Sequence, residues 1–212
     1  MDSPRMTRRS ILQKCLAFGS LTIVFSISAA EMIAAWDEHE ELVKKPTPWN
    51  ELGPFYKKGA PQTASLRTPG DPGMPLSVRG QVFDVRGKVV PAAKIEVWQT
   101  NHRGHYDLEG YRYRATLVSD PAGKYSFDSV IPGHYPDRVC QHIHYLVTAP
   151  GHKPITTQLY FATDPVFEGD PARNFSREPL LASAELVRPV VLRGDPKNLF
   201  ADVSFELVME RL

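Results

Sequence analysis

Residues 142–162 read His142-Ile143-His144-Tyr145-Leu146-Val147-Thr148, then Ala149-Pro150-Gly151-His152-Lys153-Pro154, and, after Ile155, Thr156-Thr157-Gln158-Leu159-Tyr160-Phe161-Ala162. Two runs rich in β-branched and aromatic residues enclose a segment of proline and glycine, the pattern of two strands joined by a turn. The same grammar recurs upstream. Ser77–Asp84 and Lys94–Gln99 are punctuated by Val85-Arg86-Gly87-Lys88 and Pro91-Ala92-Ala93, and Tyr113–Ser119 and Lys124–Asp128 flank Asp120-Pro121-Ala122-Gly123. Near the end, Val203, Phe205, Leu207 and Met209 alternate with Ser204, Glu206 and Val208, which predicts one terminal strand. Short strands at this spacing predict an all-β fold, an antiparallel sandwich or barrel, with residues 163–185 as a long loop.

Working outward, the 212 residues suffice for one domain with a substantial core. The chain holds 19 prolines, and Pro46, Pro48, Pro54, Pro61, Pro69, Pro72 and Pro75 exclude a regular helix or central strand over that stretch. It reads as an extended arm laid over the main domain. The net charge of +1 and the absence of a basic run argue against nucleic acid as a partner.

The first thirty residues form a separate unit. Thr7-Arg8-Arg9-Ser10-Ile11-Leu12-Gln13-Lys14 is basic, an apolar stretch runs from Cys15 to Ala30, and small residues close it at Ser28, Ala29 and Ala30. That order is the layout of an export signal, and the paired arginines resemble the twin-arginine type of bacteria. The serines and threonine within the apolar stretch argue against a permanent membrane span. The expected organisation is an export signal over 1–30, a Pro-rich arm over 31–75 and a catalytic β domain over 76–212, with a periplasmic location. Beyond the signal only Cys140 remains, so no intramolecular disulfide is expected.

His142-Ile143-His144 on a strand sends both imidazoles to one face, where a metal can take both. Alone the motif is weak. Its surroundings are more specific: Trp98-Gln99-Thr100-Asn101-His102-Arg103-Gly104-His105-Tyr106, then Pro132-Gly133-His134-Tyr135-Pro136, then the histidine pair, then Thr157-Gln158-Leu159-Tyr160-Phe161. In that order these segments resemble the intradiol ring-cleavage dioxygenases, in particular the protocatechuate 3,4-dioxygenase-like branch. The resemblance covers roughly Glu51 to Pro171.

The resemblance implies a transthyretin-like (prealbumin-like) β-sandwich and a non-haem Fe(3+) held by Tyr106, Tyr135, His142 and His144. It implies a catechol-type aromatic and O2 as substrates, a muconate-type dicarboxylic acid as product, and association of copies of the chain. Ferric ion favours phenolate oxygen and accepts imidazole, so the donor types belong together. Arg138 and Gln158 match residues that act beside the iron, although Arg138 stands four residues before His142 where the family pattern has three. Tyr56, in Glu51-Leu52-Gly53-Pro54-Phe55-Tyr56, matches a segment at the cleft entrance, and reads equally as an aromatic anchoring the arm. Tyr111, Tyr113, His102, His105, His134 and His152 read as strand-entry, loop or surface residues. Two rivals share these residues: a copper or zinc oxidoreductase on a β-sandwich, and a non-catalytic transthyretin-like binding module, which Val78–Asp84 and Lys94–Trp98 also resemble.

Overall fold

A computed structural model describes residues 43–136 and 138–212. The export segment at 1–30 and all but the end of the charged lead-in lie outside these residues. Among the described residues no helix is long and apolar enough to cross a membrane.

Ten strands follow in chain order: β1 (Pro75–Asp84), β2 (Lys94–Trp98), β3 (Arg114–Val118), β4 (Lys124–Val130), β5 (His142–Thr148), β6 (Ile155–Phe161), β7 (Val187–Arg188), β8 (Val191–Arg193), β9 (Phe200–Ser204) and β10 (Leu207–Met209). They form two five-stranded sheets. One runs β3-β2-β5-β6-β7; in the other, β1 pairs β4 along one edge and β9 and β10 along the other, with β8 outside β9. The all-β expectation holds, but purely antiparallel sheets do not. β1 pairs β9 and β10 in parallel, and β6 pairs β7 in parallel, so both sheets are mixed.

The single terminal strand expected over Val203–Met209 is interrupted. Arg79 pairs Ser204 and Val82 pairs Leu207, so one register continues through the break. The interruption falls opposite Gly80, where an added Cβ would lie 2.0 Å from the Phe205 carbonyl oxygen. Phe205 is buried and Glu206 exposed, as the alternation requires. Pro75, expected in the arm, is the first residue of β1.

The two sheets share one apolar core. Tyr145 on β5 packs edge-on against Phe205, with centroids 5.2 Å apart, and meets Phe127 and Tyr125 of β4. Ile143, Tyr145 and Val147 therefore face the other sheet, and the period of two sends His142 and His144 to the opposite face. That outer face needs its own cover. The arm provides part of it. Asn50 N–H donates to the Thr156 carbonyl at 2.9 Å, the Gln158 amide donates to the Glu51 carbonyl at 2.7 Å, and Gly53 sits against the His144 ring. The 163–185 loop provides another part. It carries short helical turns at Pro165–Phe167, Phe175–Arg177 and Ala184–Leu186 and the four-residue helix α1 (Pro171–Asn174), and it buries Phe167 and Leu181.

Candidate metal centre

Two strands and two loops converge on the covered outer face. β5 brings His142 and His144 side by side, their Nε2 atoms 3.2 Å apart. The His142 Nδ1–H donates to the Cys140 carbonyl at 2.8 Å, which fixes the tautomer and leaves the Nε2 lone pair facing His144. Trp98, directly across β2 from His144, stacks on it with centroids 4.9 Å apart and planes 4° from parallel.

The tyrosines come from loops whose backbones touch. Asn101 folds the first by accepting from the N–H groups of Arg103 and His105 through its side-chain oxygen, an Asx turn closed by Gly104 at φ +80°. The Gly133 N–H of the second loop donates to the Asn101 carbonyl at 2.8 Å. A Cβ on Gly104 would lie 1.7 Å from the His134 carbonyl oxygen, so glycine is required where the loops cross. Tyr106 and Tyr135 then meet edge to face at 5.5 Å, Tyr135 lies 5.7 Å from His142, and Tyr106 lies 6.4 Å from His144. The Tyr106 hydroxyl and the His144 Nδ1 are buried without a hydrogen-bond partner.

Burial dominates the electrostatics. It pushes the Tyr106 hydroxyl far above its ordinary pKa, with the neighbouring Tyr135 adding to the effect, and it raises Tyr135 as well. Burial, followed by the charge of Arg138, pulls His142 down to about 3. Burial and then His142 hold His144 well below its usual value. All four side chains are thus neutral at pH 7. Two imidazoles converging through their Nε2 atoms, beside a buried phenol that nothing satisfies, form a mixed nitrogen and oxygen donor set that fits a hard cation. Among the described residues no three His, Cys, Asp or Glu side chains gather as ligands, so a metal here would depend on the tyrosine oxygens.

Arg138 joins the cluster despite its offset. Its Nη2 donates to Gln158 Oε1 at 2.9 Å and to the Tyr160 hydroxyl, its Nη1 lies 3.4 Å from His142 Nε2, and its Nε donates to Glu178 Oε1 at 3.2 Å. Gln158 is fully buried and spends its amide on Arg138, Tyr160 and the Glu51 carbonyl, so it secures Arg138 rather than facing open space. Tyr56 does not reach the four residues. It packs on Trp98 at 5.1 Å and donates to Glu96 at 3.3 Å, the anchoring role. The other tyrosines are engaged elsewhere: Tyr111 donates to the Lys58 carbonyl and Tyr113 to Asp71. Cys140 is buried, and its thiol has a raised pKa, as suits a packed side chain rather than a ligand.

Sequence reading missed three members. Phe55 stacks on Tyr106 at 4.2 Å, and its neighbour Tyr56 was the residue singled out. Tyr160 stood inside a quoted motif with no role given. Glu178, in the middle of a loop with little patterning, carried no signal. A cavity of about 320 Å³ reaches Tyr106 from the side of His102, His105 and Arg112. A larger groove of about 790 Å³ lies elsewhere, along Arg79, Thr116 and Ser204.

Comparison with known proteins places the chain in a family. The family model described as Dioxygenase matches residues 52–211. The chain is 32% identical over 200 residues to catechol 1,2-dioxygenase of Acinetobacter baylyi, covering 80% of this chain and 64% of that protein. It is 30% identical over 159 residues to hydroxyquinol 1,2-dioxygenase of Nocardioides simplex, covering 60% and 54%. It thus spans roughly half to two thirds of the length of such curated relatives. Among solved structures, the dioxygenase domain of a dioxygenase–carbohydrate-binding fusion from Streptomyces sp. SirexAA-E superposes with a TM-score of 0.68 at 30% identity, covering 79% of this chain and all of that one. The chain belongs to the intradiol ring-cleavage dioxygenase family.

Proposed function

We propose that this protein is a non-haem ferric intradiol dioxygenase that opens a catechol-type ring between its two hydroxylated carbons with O2, giving a muconate-type dicarboxylic acid. The observation that carries the reading is the convergence of the His142 and His144 Nε2 atoms beside the unpartnered Tyr106 hydroxyl, with Tyr135 across from both. On this reading His142, His144, Tyr106 and Tyr135 hold Fe(3+), within a β-sandwich of the transthyretin-like kind. The bound ion would supply Lewis acidity toward the catechol oxygens.

The chain's own groups do the rest. The tautomer set by the Cys140 carbonyl keeps His142 Nε2 available. Tyr135, half-buried on its turn, would give up its own proton on holding the ion and could then take a substrate hydroxyl proton at Oη. Arg138 offers positive charge to the ionised substrate, and Gln158, Tyr160 and Glu178 hold its guanidinium in place. Phe55 stacked on Tyr106 and Trp98 stacked on His144 each cover one face of a donor ring.

The related proteins carry catechol, chlorocatechol and hydroxyquinol in their names, whereas the motifs resemble the protocatechuate-like branch. A substrate panel therefore includes all four. The deciding measurement is a visible spectrum with iron quantified on the same sample. A broad band at about one iron per chain supports the reading, since phenolate bound to ferric ion absorbs there. Colourless protein that refuses iron overturns it, and zinc or copper in its place favours the oxidoreductase rival. Export and self-association complete the proposal; N-terminal sequencing of periplasmic protein and light scattering test them.

A further inference from the structure

Arg114 opens β3 directly across from Trp98 and is 3% exposed. Its Nη1 donates to the Phe55 carbonyl at 2.6 Å and its Nη2 to the Asp107 carbonyl at 3.2 Å, while its Nε is buried without a partner. A buried guanidinium normally faces a carboxylate, because charge taken out of water needs compensation. Arg138 follows that rule through Glu178. Among the described residues Arg114 forms no ion pair. The Asp107 carboxylate is near in sequence but is spent on the N–H groups of Glu109, Gly110 and Arg112. Instead the guanidinium carbon lies 5.8 Å from the centroid of the Tyr106 ring. Both carbonyls it holds also bear on that ring: Phe55 stacks on Tyr106, and Asp107 follows it in the chain.

We propose that Arg114 is the positioning residue of Tyr106, clamping the arm and the tyrosine loop on either side of the ring and supplying the positive charge that an ionised Tyr106 oxygen answers. The buried cation that no carboxylate satisfies and the buried phenol that no donor satisfies are two halves of one arrangement. Arg114 thus bears on Tyr106 from three directions: through Phe55 stacked on the ring, through Asp107 next in the chain, and through its own guanidinium beside the ring. This rests on the ferric reading above. It differs from the role of Arg138, which pairs with Glu178 and whose Nη1 lies 3.4 Å from the His142 Nε2.

The test compares wild-type protein with R114M, R114Q and R114K, reading the position of the visible charge-transfer band, iron retained against a chelator, and the thermal midpoint. A cation beside a phenolate lowers the energy of its donor electrons. R114M is therefore expected to shift the band to longer wavelength and to lose iron faster, and R114K to keep the band close to the wild-type position. A purely structural clamp would lower the thermal midpoint without moving the band. A coloured wild type whose band stays put in folded, iron-loaded R114M overturns the inference alone; a wild type without iron and colour overturns it together with the ferric reading. If R114M and R114Q fail to fold while R114K folds with the wild-type band, charge at this position is required and the inference stands. If R114K fails to fold as well, Arg114 is a structural clamp and the inference falls.

Discussion

Arg138 and Glu178 form an ion pair whose side chains are 4% and 1% exposed, joining the segment before β5 to the middle of the 163–185 loop. Glu178 also accepts from the backbone N–H groups of Val139 and Cys140 at 3.0 and 2.9 Å. One carboxylate therefore fixes both the guanidinium and the chain that leads into His142. Replacing Glu178 by Gln leaves Arg138 as an uncompensated buried charge and is expected to destabilise the fold by about 3–5 kcal/mol. Urea unfolding of the two proteins measures it, and a difference below about 1 kcal/mol, the scale of an exposed ion pair, would show that water reaches the pair.

Substitution of either tyrosine by phenylalanine separates the ferric reading from its rivals. Y135F and Y106F are each expected to lose part of the visible band, and Y135F to lose turnover by about 10²-fold or more through the missing proton acceptor. A copper or zinc site on the histidines would keep its metal and its activity in Y135F. Spectra and metal content on matched samples read both outcomes.

Proton release reports the ligand set independently. Burial keeps both phenols protonated and both imidazoles neutral, so loading ferric ion is expected to release about two protons per chain, both from tyrosine. A weakly buffered titration with a pH indicator counts them. Release of none would remove the tyrosines from the ligand set.

The histidines give the iron-free protein an acid sensitivity with a definite sign. The folded value of His142, about 3, lies below the ordinary value near 6.5, so the unfolded chain binds protons that the folded chain refuses. The contribution is intact above 6.5 and is lost as pH falls toward 3, by up to about 1.4 kcal/mol per pH unit for this one residue. His144 shifts in the same direction. Urea midpoints at several pH values in that window should fall with acidity, and His142→Gln should flatten the slope. An unchanged slope would mean that protons reach His142 in the folded state.

Gly104 is expected to tolerate no side chain. G104A meets both the cost of a left-handed backbone and a contact with the His134 carbonyl that only movement can relieve. The two tyrosine loops should part, lowering stability by about 2 kcal/mol or more and iron content with it. Full iron occupancy in G104A would show that the loops tolerate the separation.

Much of this was legible in the sequence, because alternation and turn residues are local. β5 begins and ends where the pattern puts it, at His142 and Thr148, and β6 differs by one residue at each end. The break at Phe205 was not legible, since it arises opposite Gly80, far away in the chain. The parallel pairings of β1 were hidden for the same reason: antiparallel neighbours announce themselves through short turns, and partners more than a hundred residues apart do not. At the site, the residues that the structure brings together on patterned strands and tight turns are those the sequence singled out. Glu178 and Arg114 were missed because their roles come from what surrounds them in space, which no spacing encodes.

The pairing of β1 with β9 and β10 also bears on how the molecule comes into being. One edge of β1 can be occupied early, by β4, but the other waits for residues 201–209. During synthesis that edge stays open until residues 201–209 have been made, more than a hundred residues after β1, so closing the first sheet is a slow and non-local event. Loss of residues 201–209 would leave a long bare edge on a central strand, an invitation to pair with another chain. Strands β9 and β10 are thus what closes β1 against pairing between chains.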